Sequence, residues 1–205
     1  MSVRDAIAGF YAVLDRDDEA LARALVREAR VLQVRIKPHG GAAHAGDLVR
    51  IARMARRVCD QAGAALIVND RVDVALAADA DGVHLGQTDL PIAEARRQAP
   101  DLWIGISTHD LAQVAAACRA GADYLGFGPV FATTTKQRPA PVQGLDGLRA
   151  AVAAAGGRPV VAVGGIAAAQ VADIYRTGAH AICAISAVNG AADPLAAARG
   201  FARPA

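Results

Sequence analysis

Short apolar runs alternate along this chain with longer segments in which Ala, Leu and Arg recur at helical period. The runs predict strands over residues 10–14, 31–36, 65–68, 82–85, 103–107, 124–127, 159–163 and 181–185. The segments between them predict helices, among them 19–30, 47–62, 111–120, 145–155 and 168–177. Several of these end at glycines placed as C-caps, namely Gly63, Gly121, Gly156 and Gly178. Strands that alternate with helices at this spacing are βα units on a parallel sheet. Eight such units predict the α/β class and a single-domain (β/α)8 TIM barrel over residues 1–205, at the short end for that fold. The competing topology is an open doubly wound sheet. It would carry a Gly-x-Gly-x-x-Gly after the first strand, and none is present.

One connection departs from the pattern. Residues 129–144 are long and poor in apolar positions, with three threonines, a lysine and three prolines. A loop of that length in an otherwise tight barrel is a candidate lid.

Composition adds a few constraints. Hydrophobic residues make up 54% of the chain and aromatics only 4%, which places the core on Val, Ile and Leu with much Ala between. A net charge of +2 excludes nucleic-acid binding by bulk electrostatics. Arg50, Arg53, Arg56 and Arg57 recur at helical spacing and read as a solvated outer helix face. Cys59, Cys118 and Cys183 lack metal-ligand spacing and read as buried, reduced thiols. With no signal-peptide pattern and no apolar stretch of spanning length, the chain is expected to be cytoplasmic, with neither membrane nor nucleic-acid partners. A homo-oligomer stays open.

The basic residues are uneven in kind. Of the 22 Lys and Arg residues only Lys37 and Lys136 are lysines, and they fall in Gln33-Val34-Arg35-Ile36-Lys37 and in the candidate lid. A compact, strongly hydrated point charge is the reason to keep a lysine where arginine is otherwise preferred. In the first string the i, i+2, i+4 spacing puts Gln33, Arg35 and Lys37 on one strand face and Val34 and Ile36 on the other. Active sites of such barrels lie at the C-terminal strand ends. Asn69 and Asp70 end the third strand there, Asp89 follows the fourth, Ser107 ends the fifth, Gly164-Gly165 the seventh, and Ile185-Ser186 the eighth.

Two anion sites follow from this placement. Arg35, Lys37 and Lys136 would converge with Asp70 and Asp89 on a pyrophosphate-bearing substrate, with Mg2+ between the carboxylates and the phosphate oxygens. The plainer alternative makes Asp70 and Asp89 helix N-caps. The glycine pair and Ile185-Ser186 would expose backbone N–H groups to a monophosphate, joined by hydroxyls of Thr133, Thr134 and Thr135. A tight turn alone would also explain the glycines. His84 alternates with apolar neighbours and should face the barrel interior, and His109 should cap or line the site. His39, His44 and His180 read as surface. No histidine spacing suggests zinc, and no nucleophile constellation is present.

Eight strings in order resemble the thiamine phosphate synthase family. They are Gln33 to Lys37, Leu66 to Asp73, Ala80 to Gln87 with Asp89, Gly105 to His109, Gly121 to Phe131, Thr133 to Lys136, Val163 to Ile166, and Ile185-Ser186. The resemblance implies a transferase that joins 4-amino-5-hydroxymethyl-2-methylpyrimidine diphosphate to a thiazole phosphate, releasing pyrophosphate and forming thiamine phosphate. It implies that Gln33, Arg35, Lys37, Asn69, Ser107 and Lys136 hold the pyrimidine diphosphate, with Arg35, Lys37 and Lys136 acting on the leaving group. Asp70 and Asp89 would bind Mg2+, and Thr133, Thr134, Thr135, Gly165, Ile185 and Ser186 the thiazole phosphate. The implied mechanism is dissociative, which needs no nucleophile. Ala132, where the family often has Pro, and Asp110, where Asn is common, are small departures. The rival readings are a thiazole tautomerase-like isomerase, a non-catalytic binder of thiazole or thiamine phosphates, and a sugar-phosphate isomerase. A tautomerase has no use for Lys37, Asp70, Asp89 and Lys136 together, and a sugar-phosphate isomerase would need an acid/base pair at the strand ends.

Overall fold

The computed structural model describes residues 1–37, 44–133 and 140–203. Eight parallel strands close into a barrel in sequence order: β1 (Gly9–Leu14), β2 (Ala29–Val34), β3 (Ala65–Asn69), β4 (Gly82–Leu85), β5 (Trp103–Thr108), β6 (Tyr124–Phe127), β7 (Val160–Val163) and β8 (Ala181–Cys183). The helices outside it are α2 (Glu19–Leu25), α3 (Ala45–Ala62), α4 (Val72–Ala77), α5 (Ile92–Gln98), α6 (Leu111–Arg119), α7 (Gly144–Ala154) and α8 (Val171–Arg176), followed by α9 (Ser186–Asn189) and α10 (Pro194–Arg199). The expected (β/α)8 TIM barrel is the observed fold.

Alternation along the strands builds two apolar layers. Residues such as Leu32, Val34, Leu66, Val83, Ile104, Leu125 and Ile182 face outward and pack under the helices. Tyr11, Val13, Val31, Ile67, Tyr124, Val161 and Cys183 face inward and fill the lumen. The short helix α1 (Val3–Ala6) and Ile7 join that inner layer, which closes the lumen at the N-terminal ends of the strands. The chemistry is thereby left to the opposite mouth.

Two equivalent ionic clamps hold the helices to the barrel. Asp81, just before β4, accepts the Leu66 amide at 2.7 Å and Arg56 of α3 at 2.7 Å. Asp123, just before β6, accepts the Ile104 amide at 2.7 Å and Arg96 of α5 at 2.6 Å. In each case one carboxylate satisfies a strand amide and a guanidinium together, which a hydrophobic residue cannot do.

The structure corrects several expectations. On α3 Arg50, Arg53 and Arg57 are exposed as expected, and only Arg56 departs, largely covered by its clamp. His180 is half-buried, accepts the Val160 amide, and is held below its usual pKa first by burial and then by Arg4 and Arg203. The helix expected over 19–30 stops at Leu25, because Ala29 pairs with β1. Strands expected to reach residues 36 and 185 end at Val34 and Cys183, where the chain turns out toward the mouth. The segment expected as one helix over 168–177 starts with a 3-10 turn, Ala168–Gln170, before α8. Cys59 and Cys183 are buried, while Cys118 is only partly covered. No helix of the described residues is long and apolar enough to cross a membrane.

Candidate active site

A cavity of about 900 Å³ opens at the C-terminal mouth of the barrel. Its wall includes Gln33, Arg35, Lys37, Asn69, Asp70, Asp89, Ser107, Thr133, Gly165, Ile185 and Ser186. Eleven expected site residues thus share one pocket. Thr134, Thr135 and Lys136 lie outside the described residues, as does His39.

The alternation in β2 places the cationic arm as expected. Val34 is buried under the helices and Ile36 packs on the same layer, while Gln33, Arg35 and Lys37 take the lumen side. The Arg35 amide donates to the Leu14 carbonyl at 2.9 Å, so β1 supports the chain past the formal strand end. Lys37 Nζ lies 3.9 Å from Asp70 Oδ2.

Neither aspartate is a helix cap. The N-cap of α4 is Arg71 and that of α5 is Pro91, and neither receives a side-chain cap. Asp70 instead adopts a left-handed backbone, φ 64°, which turns its carboxylate into the mouth. Only Gly, Asn and Asp visit that region routinely. Asp89 Oδ2 accepts the Gly86 amide at 2.6 Å, which folds residues 86–89 back toward Asp70. Burial, then contact with the Asp89 carboxylate, lifts the Asp70 carboxyl to about 6 against the counter-pull of Lys37 and Arg35.

Two adjacent carboxylates that resist ionising together are suited to a hard cation. Among the described residues no set of three or more His, Cys, Asp or Glu could hold a metal ion. A two-carboxylate donor set fits Mg2+, which keeps waters and takes substrate phosphate oxygens for its remaining positions.

Across the mouth, Gly164 and Gly165 have φ of 99° and 65°. A Cβ on Gly165 would fall 2.2 Å from the Ala132 carbonyl oxygen, and the Phe131 amide donates to the Gly164 carbonyl at 3.0 Å. The glycines therefore have a backbone reason of their own: they let the loop after β6 press against the turn after β7. Ile185 and Ser186 follow β8 into α9 on the same side.

His84 faces the barrel interior as expected, but the two tyrosines that complete the cavity floor were missed. Gln33 Nε2 donates to Tyr11 Oη at 3.0 Å, and Tyr11 Oη lies 2.9 Å from Tyr124 Oη. Tyr124 Oη lies 3.1 Å from His84 Nδ1, and His84 Nε2 lies 2.9 Å from Ser107 Oγ. Burial keeps both phenols well above their ordinary range. His109 lines the mouth, with Nδ1 donating to the Gly128 carbonyl. The cap of α6 is Asp110, which accepts the Gln113 amide at 2.8 Å. Asp in place of Asn is harmless there, since both cap well.

The family model described as thiamine monophosphate synthase matches residues 10–188, almost the whole barrel. The chain belongs to the thiamine monophosphate synthase family. It is 50% identical over 176 residues to the thiamine-phosphate synthase of Chloroflexus aurantiacus, covering 86% of this chain and 79% of that one. Against the thiamine-phosphate synthase of Anaeromyxobacter dehalogenans the identity is 47% over 199 residues, covering 95% and 86%. A solved structure of thiamine phosphate pyrophosphorylase from Pyrococcus furiosus superposes with a TM-score of 0.88 at 38% identity, covering 98% of this chain and 96% of that one. A 3-hexulose-6-phosphate synthase at 18% identity and TM-score 0.70 shares the barrel fold alone.

Proposed function

We propose that this chain is a thiamine phosphate synthase that joins 4-amino-5-hydroxymethyl-2-methylpyrimidine diphosphate to a thiazole phosphate. The observation that carries the reading is the convergence of Arg35 and Lys37 with the paired carboxylates Asp70 and Asp89 at one mouth. A phosphate-binding isomerase needs neither the carboxylate pair nor the cations beside it.

The C–O bond between the pyrimidine methylene and the diphosphate breaks, and the pyrophosphate leaves with the electron pair. The thiazole nitrogen then gives its lone pair to the methylene carbon, and the C–N bond forms. No proton has to move, so the lack of a nucleophile and base is no obstacle. Arg35 and Lys37 bind the departing oxygens, and Lys136 is assigned to the same group. Mg2+, held by Asp70 and Asp89, supplies charge neutralisation on the diphosphate when bound. Gln33, Asn69 and Ser107 orient the pyrimidine half, while Thr133 to Thr135, Gly165, Ile185 and Ser186 hold the thiazole phosphate. The thiazole then waits within reach of the pyrimidine methylene cation left when pyrophosphate departs, and the cavity walls limit capture by water.

The test is Mg2+-dependent formation of thiamine phosphate by purified protein given both substrates. Failure at every Mg2+ concentration returns the chain to the tautomerase or binder readings.

A further inference from the structure

The hydrogen-bonded chain on the cavity floor crosses the lumen from β2 through β1, β6 and β4 to β5, and the barrel is built around it. His84 and Tyr124 are on strands that are not neighbours, because β5 runs between them with Gly105 opposite both residues. A Cβ on Gly105 would lie 2.1 Å from Tyr124 Cζ and 2.5 Å from its hydroxyl oxygen. A Cβ on Gly126 would lie 3.1 Å from His84 Cε1. Two strand glycines, each a cost to sheet stability, thus make room for one contact. Packing alone would not require that, since a smaller residue than Tyr124 would fill the space beside an alanine.

The chain also has a direction. Gln33 Nε2 donates to Tyr11 Oη, so the single Tyr11 proton is left for Tyr124 Oη. A Tyr124 proton given to His84 Nδ1 would leave a neutral ring with its own proton on Nε2, facing Ser107 Oγ. Both phenols stay protonated because burial disfavours their ionised forms. With Ser107 accepting from His84, the Ser107 proton points to the cavity. With its nitrogen committed to Tyr11, Gln33 turns its carbonyl oxygen to the cavity.

We propose that Tyr11, Tyr124 and His84 are positioning residues that fix the polarity of the site, so that Ser107 meets the pyrimidine half of the substrate as a hydroxyl donor and Gln33 as a carbonyl acceptor. The inference rests on the proposed synthase reading for its kinetic consequence, though not for the state of the ring. Removing one hydroxyl from the middle lets each end flip independently. The pyrimidine half then loses orientation, while the cationic mouth that binds pyrophosphate is untouched.

Two measurements test this. In the wild-type protein at neutral pH, the nitrogen-15 spectrum of His84, assigned by its loss in His84→Asn, should show a neutral ring protonated on Nε2. A ring protonated on Nδ1, or on both nitrogens, overturns the polarity. In Tyr124→Phe, KM for the pyrimidine diphosphate should rise about tenfold, the equivalent of one aligned hydrogen bond, while inhibition by inorganic pyrophosphate stays unchanged. An unchanged KM, or equal weakening of pyrophosphate inhibition, overturns the positioning role; Tyr11→Phe gives the same comparison if Tyr124→Phe does not fold. Absence of turnover in the wild type would instead count against the synthase reading, with the spectrum still deciding the polarity.

Discussion

Replacing Asp70 by Asn should separate function from stability in opposite directions. The Asp70 carboxyl is lifted from 3.8 to about 6 by burial and by the Asp89 carboxylate. An acid whose folded pKa lies above its unfolded value holds its proton more tightly when folded. Its ionisation therefore costs stability above about pH 6, and that cost fades as the pH falls toward 4. The full shift corresponds to about 3 kcal/mol, but the side chain is 37% exposed, and screening by solvent reduces this to about 1 kcal/mol. Asn keeps the shape and tolerates the left-handed backbone at φ 64°, so the substitution adds no strain. Asp70→Asn should thus raise Tm of the metal-free protein by about 2–4 °C at pH 7.5 for a chain of this size. The gain should shrink as the pH falls through 6 and vanish below about pH 4. In the same variant the Mg2+ concentration for half-maximal pyrophosphate release should rise at least about tenfold, as expected for loss of one of the two proposed carboxylate ligands. Thermal unfolding in chelator-treated buffer and a Mg2+ titration of turnover are the assays. A lower Tm together with an unchanged Mg2+ titration would refute the reasoning, because it would make Asp70 a structural group and not a metal ligand.

Three further outcomes follow from other parts of the molecule. Lys136→Ala should lower kcat far more than it changes Tm, since its charge is assigned to the leaving group; normal turnover would return it to an ordinary loop residue. Asp123→Ala should destabilise by about 2–4 kcal/mol, because the buried Ile104 amide loses its acceptor and Arg96, still bound to backbone carbonyls, loses its one carboxylate among the described residues. Urea unfolding checks the latter, and KM for both substrates should stay put, since the clamp is remote from the mouth. Removing Mg2+ with a chelator should abolish turnover and leave the far-ultraviolet circular dichroism unchanged, as the carboxylate pair does not hold the fold together.

Much of the mouth was legible in the sequence because one rule covers it. In β2 the period of two separates Val34 and Ile36 from Gln33, Arg35 and Lys37, and the barrel places strand ends at the active face. The left-handed conformation at Asp70 was not legible, since an aspartate before a helix reads equally well as a cap. The floor was hidden for another reason. A tyrosine within an apolar strand looks like core, and only the register that brings Gly105 between His84 and Tyr124 reveals its partner. The clamps depend on pairs 25 and 27 residues apart, Arg56 with Asp81 and Arg96 with Asp123, which meet only once the topology is known. Their one local trace is the repeated Ala-Asp before β4 and β6. The exposed face of α3 was legible at Arg50, Arg53 and Arg57, and only Arg56 differed, because helical spacing reports a face and says nothing of the neighbours on it.

In the proposed reaction one mouth expels pyrophosphate and lets a thiazole nitrogen capture what remains. The most direct test is release of pyrophosphate by the purified protein with Mg2+, measured with both substrates and with each omitted, alongside the thiamine phosphate formed. Equal amounts of pyrophosphate and thiamine phosphate are expected when both are present, and none of the latter when either is missing. Release of pyrophosphate without any thiamine phosphate in the complete mixture, or no release at all, would contradict it.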